Sequence, residues 1–247
     1  MVSRAAAEKD LRLAYLPADD LPAYFEGDPS RMRQILLNLI SNAVKFTHGG
    51  EVVVRADGAY GGDSPGRCRL TLRVSDTGVG IDAARQGALF NPYDPAHERA
   101  RQRGSMGLGL AIVQRLATLM QGSLSLVSAP DAGSTFIFTT PLAVSFPART
   151  TMPQTMNGKS VLVADAHAPT LQMMTTLLTR TGATVLHATT VDDALRVLDA
   201  TGVDAAFYSA TLSDRTGTRL LVRARQHAYG AHLPALLARR PEAMGHD

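Results

Sequence analysis

Asn38-Leu39-Ile40-Ser41-Asn42-Ala43-Val44-Lys45 is the stretch on which the reading of this chain turns. Ahead of it, Asp28-Pro29-Ser30 has the form of a helix start, with an acidic cap and proline at the first helical position. Met32, Ile35, Leu36, Leu39, Ile40, Ala43 and Val44 recur at helical spacing and make one apolar face, and Gly49-Gly50 supplies the stop. At about 100° per residue, Asn38, Asn42 and Lys45 fall on a narrow stripe beside that face. Amide oxygens are suitable hard ligands for Mg²⁺, which prefers a few protein oxygens plus water and phosphate. An ammonium at Lys45 can neutralise phosphate charge. By itself the stripe also fits the solvated edge of any amphipathic helix.

Three further motifs change that balance. Asp76-Thr77-Gly78-Val79-Gly80-Ile81 follows an alternating strand, and a carboxylate at a strand end can accept from an exocyclic amine such as that of adenine. Gly78 and Gly80 allow close backbone approach. Gly104-Ser105-Met106-Gly107-Leu108-Gly109-Leu110 leads into a second apolar helix, whose N-terminal N–H groups favour phosphate. Arg99, Arg101 and Arg103 precede it, and the segment could close over a triphosphate. Gly133-Ser134-Thr135 opens a final strand. Together these pieces could hold the metal, base and phosphates of one nucleotide.

The bulk properties narrow the class. The chain has 247 residues, with 25 Lys and Arg against 22 Asp and Glu. A net charge of +3 without a basic stretch does not imply nucleic acid. Cys68 is the single cysteine, which excludes a disulfide framework. No apolar run approaches the ~20 residues of a membrane helix, and no signal core opens the chain. The expectation is a soluble, cytoplasmic chain without direct membrane contact, either complete or the cytoplasmic part of a membrane-anchored parent.

Along the first half, residues 1–27 read as mixed, with a polar, proline-containing stretch from Pro17 to Pro22. Glu51–Arg55 and Leu70–Val74 read as strands around a loose connection from Asp57 to Cys68, and 82–106 as irregular. A helix is expected over about 107–120, apolar on most sides and so buried. Leu124–Val127 and Thr135–Thr139 read as closing strands. Composition changes at Pro141–Gly158, which suggests a linker (143–158) between domains over 1–142 and 159–247. Beyond it, strands at 161–164, 183–188, 203–208 and 234–238 alternate with helices at 169–181, 191–200 and 216–227, a rhythm that implies a parallel sheet.

Residues 28–142 resemble the ATP-binding catalytic domain of sensor histidine kinases, a fold shared with gyrase B, Hsp90 and MutL. Asn38–Lys45 is similar to the N box, Asp76–Ile81 to the G1 box, Leu89-Phe90-Asn91-Pro92-Tyr93 to the F box and Gly104–Leu110 to the G2 box. The resemblance implies an α/β sandwich, a mixed sheet with helices on one face. It implies Asn42 as the Mg²⁺ ligand and Asp76 as the partner of the adenine amine. It also implies a mobile ATP lid over about 91–106. ATP contacts would come from Asn38, Lys45, Gly78, Gly80, Ile81, Phe90, Arg101, Gly104, Ser105, Gly107, Leu108, Gly109, Leu110 and Thr135. Asn38 and Lys45 would carry catalysis. ATP-hydrolysing relatives place a glutamate four residues before the metal Asn; Asn38 has no useful basicity, which disfavours hydrolysis and favours transfer to an imidazole. Ser105 and Met106 depart from the usual G2 run, and Asn91 from the F box.

The acceptor histidine is not evident. His97-Glu98 lacks the rest of the family's pattern and lies within the expected lid. Phosphotransfer would need a histidine-bearing dimerisation domain, upstream or in trans, and then a response regulator or phosphorelay protein. Residues 159–247 resemble a receiver domain of the doubly wound type, C-terminally incomplete. Asp165 keeps one acid of the acidic pair, but Ala166 replaces the other. Ser209 stands where the phosphorylated aspartate is expected, and Arg239 where Ser or Thr is usual. An aspartyl phosphate needs a carboxylate nucleophile and carboxylates for Mg²⁺, so this domain should not take phosphate. It reads either as a regulatory pseudo-receiver or as a decayed or truncated domain. Two functions stand: the catalytic part of a hybrid histidine kinase, or a non-catalytic nucleotide-sensing scaffold that partners one.

Overall fold

The computed structural model describes residues 2–60, 66–87, 89–90, 109–145, 155–209, 212, 224 and 233–238. The chain divides into two units, Met1–Pro147 and Ala148–Asp247.

The first unit opens with α1 (Val2–Glu8), β1 (Arg12–Pro17) and β2 (Phe25–Glu26), within the stretch that reads as mixed. Its long helix α2 (Pro29–Phe46) starts where the cap signals place it. Asp28 Oδ1 accepts from the N–H groups of Ser30 at 2.9 Å and Arg31 at 3.1 Å. Then follow β3 (Glu51–Tyr60), β4 (Arg67–Asp76), α3 (Ala83–Gln86), α4 (Gly109–Leu119), β5 (Ser123–Ser128) and β6 (Ser134–Val144). The sheet order is β1-β3-β4-β6-β2, with β5 also paired to β6. Only β1 and β3 pair in parallel, so the sheet is mixed.

Strand alternation makes the core. Ser134, Phe136, Phe138, Thr140 and Leu142 of β6 are buried in turn, and the apolar members meet Ile35, Leu39 and Ala43 of α2 and Val113 and Ala117 of α4. A fully buried side chain of this size contributes ~1.5–3 kcal/mol. Three expectations need correction. The span from Asp57 to Cys68 is not a loose connection throughout: β3 runs on to Tyr60 and β4 begins at Arg67. Helix α4 is not enclosed on most sides, because only Val113 and Ala117 are buried while Ile112 and Leu119 are exposed. It lies on α2 and the sheet with one face and leaves the other open. Strand β6 runs to Val144, into the stretch read as linker, because Val144 pairs with Phe25 of β2.

The C-terminal end of α2 is tied from outside. Lys9 Nζ donates to the carbonyls of Val44 (2.8 Å), Lys45 (2.7 Å) and Thr47 (3.1 Å). The Val79 N–H donates to Phe46 O at 3.4 Å, and Thr47 donates to Ala43 O through both N–H and hydroxyl. Carbonyls that a helix end leaves orphaned are thus satisfied, and a cation sits at the negative end of the helix dipole.

In the second unit, β7 (Ser160–Ala164), β8 (Thr184–Ala188), β9 (Ala205–Ser209) and β10 (Ala235–Ala238) form a parallel sheet in the order β10-β9-β7-β8. Helices α5 (Ala168–Thr179) and α6 (Val191–Ala200) cover its two faces. Leu162 and Tyr208 pack with Ala194 and Leu198 of α6, whereas Val161 and Val163 pack with Leu171 and Leu178 of α5. A strand whose alternate residues enter two separate cores is the mark of a doubly wound sheet. The helix expected over 216–227 lies outside the described residues apart from buried Ala224.

Replacing Lys9 by Met should cost ~1–3 kcal/mol, since three carbonyls lose a charged donor. The urea midpoint should fall with an unchanged slope; a midpoint equal to wild type contradicts the capping role.

Candidate functional site

Asp76 ends β4, and the chain turns there through Thr77-Gly78-Val79-Gly80. The turn is clamped to the 129–133 turn between β5 and β6. Gly80 has φ +65°, and a Cβ placed on it would stand 1.8 Å from Ala129 O. Gly133 has φ +74°, and its added Cβ would stand 2.0 Å from Asp76 O. No residue but glycine fits either position. The Asp131 N–H closes the contact by donating to Val79 O at 2.9 Å.

Side chains complete the clamp. Ser128 Oγ accepts from Ile81 N–H at 2.8 Å and lies 2.8 Å from Gly133 O and 3.0 Å from Ser134 Oγ. Gln86 Nε2 donates to Ile81 O at 2.9 Å and to Ser128 O at 3.0 Å. Asp76 Oδ1 accepts from Gly78 N–H at 2.9 Å. Burial pushes the Asp76 carboxyl above the ordinary carboxylate value, and the N–H groups of Gly78 and Ser134 pull it back in part.

This frame lines a cavity of about 200 Å³. Asn42, Ala43 and Phe46 of α2 face Asp76, Val79, Gly80 and Ile81, with Leu110 of α4 and with Ser134 and Phe136 of β6. Arg85 and Leu89 add to the wall. The lining is mostly apolar, with few polar groups, the composition of a small-molecule site.

Of the residues named from sequence, Asn42, Asp76, Gly80, Ile81 and Leu110 share this one cavity. Asn38 stands beside it: a Cβ at Gly109 would lie 3.9 Å from both Asn38 Oδ1 and Asn42 Nδ2, so the start of α4 approaches both amides. Gly78 packs under the turn, where an added Cβ would meet Phe46 O at 2.5 Å. Lys45 is exposed, with its ammonium 5.2 Å from the Phe46 ring centre, and does not line the cavity. Phe90 packs against the core instead. Arg101, Gly104, Ser105, Gly107 and Leu108 lie outside the described residues, as does the expected lid over 91–106.

Thr135 needs correction. Strand alternation turns it to the other side of the sheet, where its hydroxyl donates to Ser75 Oγ at 3.0 Å. Ser134 and Phe136 face the cavity in its place. Sequence reading also missed Phe46, Ala43, Val79 and Arg85. Phe46 follows Asn42 by one helical turn, so the stripe that named Asn42 could have found it.

In the second unit, Asp165 directly follows β7 and Ser209 ends the neighbouring parallel strand β9; both are buried. Asp165 Oδ1 accepts from His167 N–H at 2.8 Å.

Residues 27–144 match the family of histidine kinase-, DNA gyrase B- and HSP90-like ATPases. The match falls within the first unit and supports an ATP-binding domain there. Over 206 residues, 80% of this chain, the sequence is 34% identical to the sensor protein TorS of Escherichia coli K12. Over 181 residues, 72% of the chain, it is 37% identical to the sensor histidine kinase RcsC of the same organism. It spans only 21% and 18% of those two proteins. Among solved structures it is similar to full-length ShkA in complex with AMPPNP. That match has a TM-score of 0.66 and 27% identity, over 96% of this chain and 45% of that one. Among the described residues no helix is long and apolar enough to cross a membrane.

The raised carboxyl of Asp76 sets a sign. Its stabilising contribution is present below the unfolded value and is lost as pH rises through the folded value. Wild type should therefore gain thermal stability relative to Asp76→Asn as pH falls from 7 toward 4. The pairing of Asp76 with an adenine amine that the resemblance implies predicts an at least tenfold drop in nucleotide affinity at pH 7 in the variant. A pH-independent stability difference contradicts the first statement, and unchanged calorimetric affinity the second.

Proposed function

We propose that this chain is the ATP-binding catalytic part of a hybrid sensor histidine kinase, and that it passes the γ-phosphoryl of ATP to a histidine on a separate helical dimerisation domain. The observation that carries the reading is the convergence of Asn42, Asp76 and Gly80 on one cavity, with Asn38 at its edge. The Asp76 carboxylate takes the adenine amine, and Ile81, Leu110 and Phe136 enclose the ring. Ser134 takes the place first assigned to Thr135. The N-terminal N–H groups of α4 at Gly109 face the phosphates, and the family resemblance assigns Arg101, Gly104, Ser105, Gly107 and Leu108 to phosphate contacts as well. Lys45 neutralises their charge from the rim.

Mg²⁺ fits this donor set, since the Asn42 amide stands on the cavity wall beside the backbone at Gly109. The ion would be held by Asn42 with phosphate and water oxygens, and it would supply charge neutralisation. Asn38 has no proton affinity with which to activate water, so it orients rather than acts as a base. Positioning and electrostatics then carry the transfer to an imidazole.

The second unit is a pseudo-receiver with a regulatory role on the kinase. Ala166 and Ser209 remove one metal-binding acid and the phosphorylated carboxylate, at the strand ends where that chemistry would occur. The partners are a histidine domain and a response regulator or phosphorelay protein, in the cytoplasm.

Incubation with [γ-³²P]ATP and a purified two-helix histidine domain of a related kinase tests the enzymatic reading. Acid-labile label on that histidine is the expected result. Nucleotide binding without label favours a nucleotide-sensing scaffold, a reading that the departures at Ser105 and Met106 support. Steady phosphate release without acceptor favours an ATPase. Acetyl phosphate should leave the second unit unmodified by mass; a phosphorylated peptide containing Ser209 overturns the pseudo-receiver assignment.

A further inference from the structure

Ser128 does not line the cavity, yet its hydroxyl governs a residue that does. Its Oγ has three polar neighbours: Ile81 N at 2.8 Å, Gly133 O at 2.8 Å and Ser134 Oγ at 3.0 Å. A hydroxyl has one hydrogen to give and two lone pairs. The Ile81 N–H can only donate, so it occupies one lone pair. Gly133 O can only accept, so the Ser128 hydrogen goes there. Any other orientation leaves two oxygens 2.8 Å apart with no hydrogen between them. The second lone pair of Ser128 then receives the hydrogen of Ser134. Gln86 holds Ser128 in register through its carbonyl.

Ser134 is consequently left with lone pairs alone for the cavity it lines. Beside it stands Asp76, a second acceptor, whose carboxylate takes the N–H groups of Gly78 and Ser134. Asn42 and Arg85 also line the cavity and carry donors, but no hydrogen bond joins either to this corner among the described residues.

We propose that Ser128 is a specificity-determining residue: by fixing the direction of the Ser134 proton it makes the Asp76–Ser134 corner acceptor-only and so selects 6-amino over 6-oxo purine triphosphates. The proposal rests on the reading of this cavity as the site of an adenine nucleotide. The amino group of adenine brings hydrogens to the corner. The 6-oxo group of a hypoxanthine nucleotide brings an acceptor that meets only lone pairs, and such mismatch of buried polar groups discriminates strongly. Without Ser128, the Ser134 hydrogen is free to turn toward a 6-oxo group.

ATP and ITP differ at this position and are the probes. Their dissociation constants with Mg²⁺ are measured by calorimetry on the full chain and on Ser128→Ala, Ser134→Ala and the double variant. Wild type should prefer ATP. Ser128→Ala should reduce the ATP:ITP preference about five- to tenfold, the worth of one gained hydrogen bond. In the Ser134→Ala background the same substitution should leave the ratio unchanged, since no hydroxyl remains to reorient. Ser128→Thr, which keeps the hydroxyl, should keep the wild-type ratio. Ser128→Cys keeps the volume with a poor donor, and it repeats the test with the same expected direction where the alanine variant does not fold. An unchanged ratio in Ser128→Ala, or an equal change with and without Ser134, overturns the relay while leaving adenine binding intact. Failure of wild type to bind either nucleotide overturns the reading of the cavity and the relay with it.

Discussion

Two backbone turns touch, and the rest of the site depends on that contact. The loop after β4 and the turn before β6 approach so closely that a Cβ on Gly80 or Gly133 would lie within 2.0 Å of a carbonyl oxygen. An approach of this kind fixes the position of Asp76 without asking anything of its own side chain. It also sets Ile81 within reach of Ser128 and turns the first residues of β6 toward the cavity. The carboxylate is then half-buried at some cost, which its own N–H partners offset only in part. A destabilised, preorganised group in a cleft is the ordinary physical signature of a binding function.

The helix α2 joins this frame from the other side. Its N-terminus is fixed by Asp28 and its C-terminus by Lys9 and Val79, so both ends are held by groups outside the helix itself. Because Val79 belongs to the glycine loop, the helix bearing Asn38 and Asn42 is bonded to the loop bearing Asp76. Amides and carboxylate therefore keep a fixed relation to one another, whatever occupies the space between them.

Legibility of the sequence followed the strength of local signals. Helix α2 could be read because cap, proline and apolar period agree. In the second unit, short apolar runs alternating with helices gave a parallel sheet. The strands β3 and β4 read short because the glycine-rich stretch from Asp57 to Cys68 looks like a loose connection. In the fold, Asp57 pairs with Arg73 across the strands, and Gly58 sits where an added Cβ would crowd Cys68 Sγ at 2.9 Å. That crowding is tertiary, invisible along the chain. The sequence points to Thr135 where the fold uses Ser134, for a similar reason. Phe136, Ile137 and Phe138 are consecutive apolar residues, so the phase of alternation in β6 is hidden until the helices cover one face. Strand β1 is hard to read along the chain because its partner β3 follows only after α2.

The central claim is that one adenine ring lies in the cavity between α2, the glycine loop and β6. Isotope-edited NMR on the full chain with methyl labels, saturated with a non-hydrolysable ATP analogue and Mg²⁺, tests it directly. The account predicts nuclear Overhauser contacts from the adenine protons to the methyl groups of Ile81 and Leu110. Contacts instead to methyl groups of the second unit, or to none of the cavity's methyls at saturation, would contradict it.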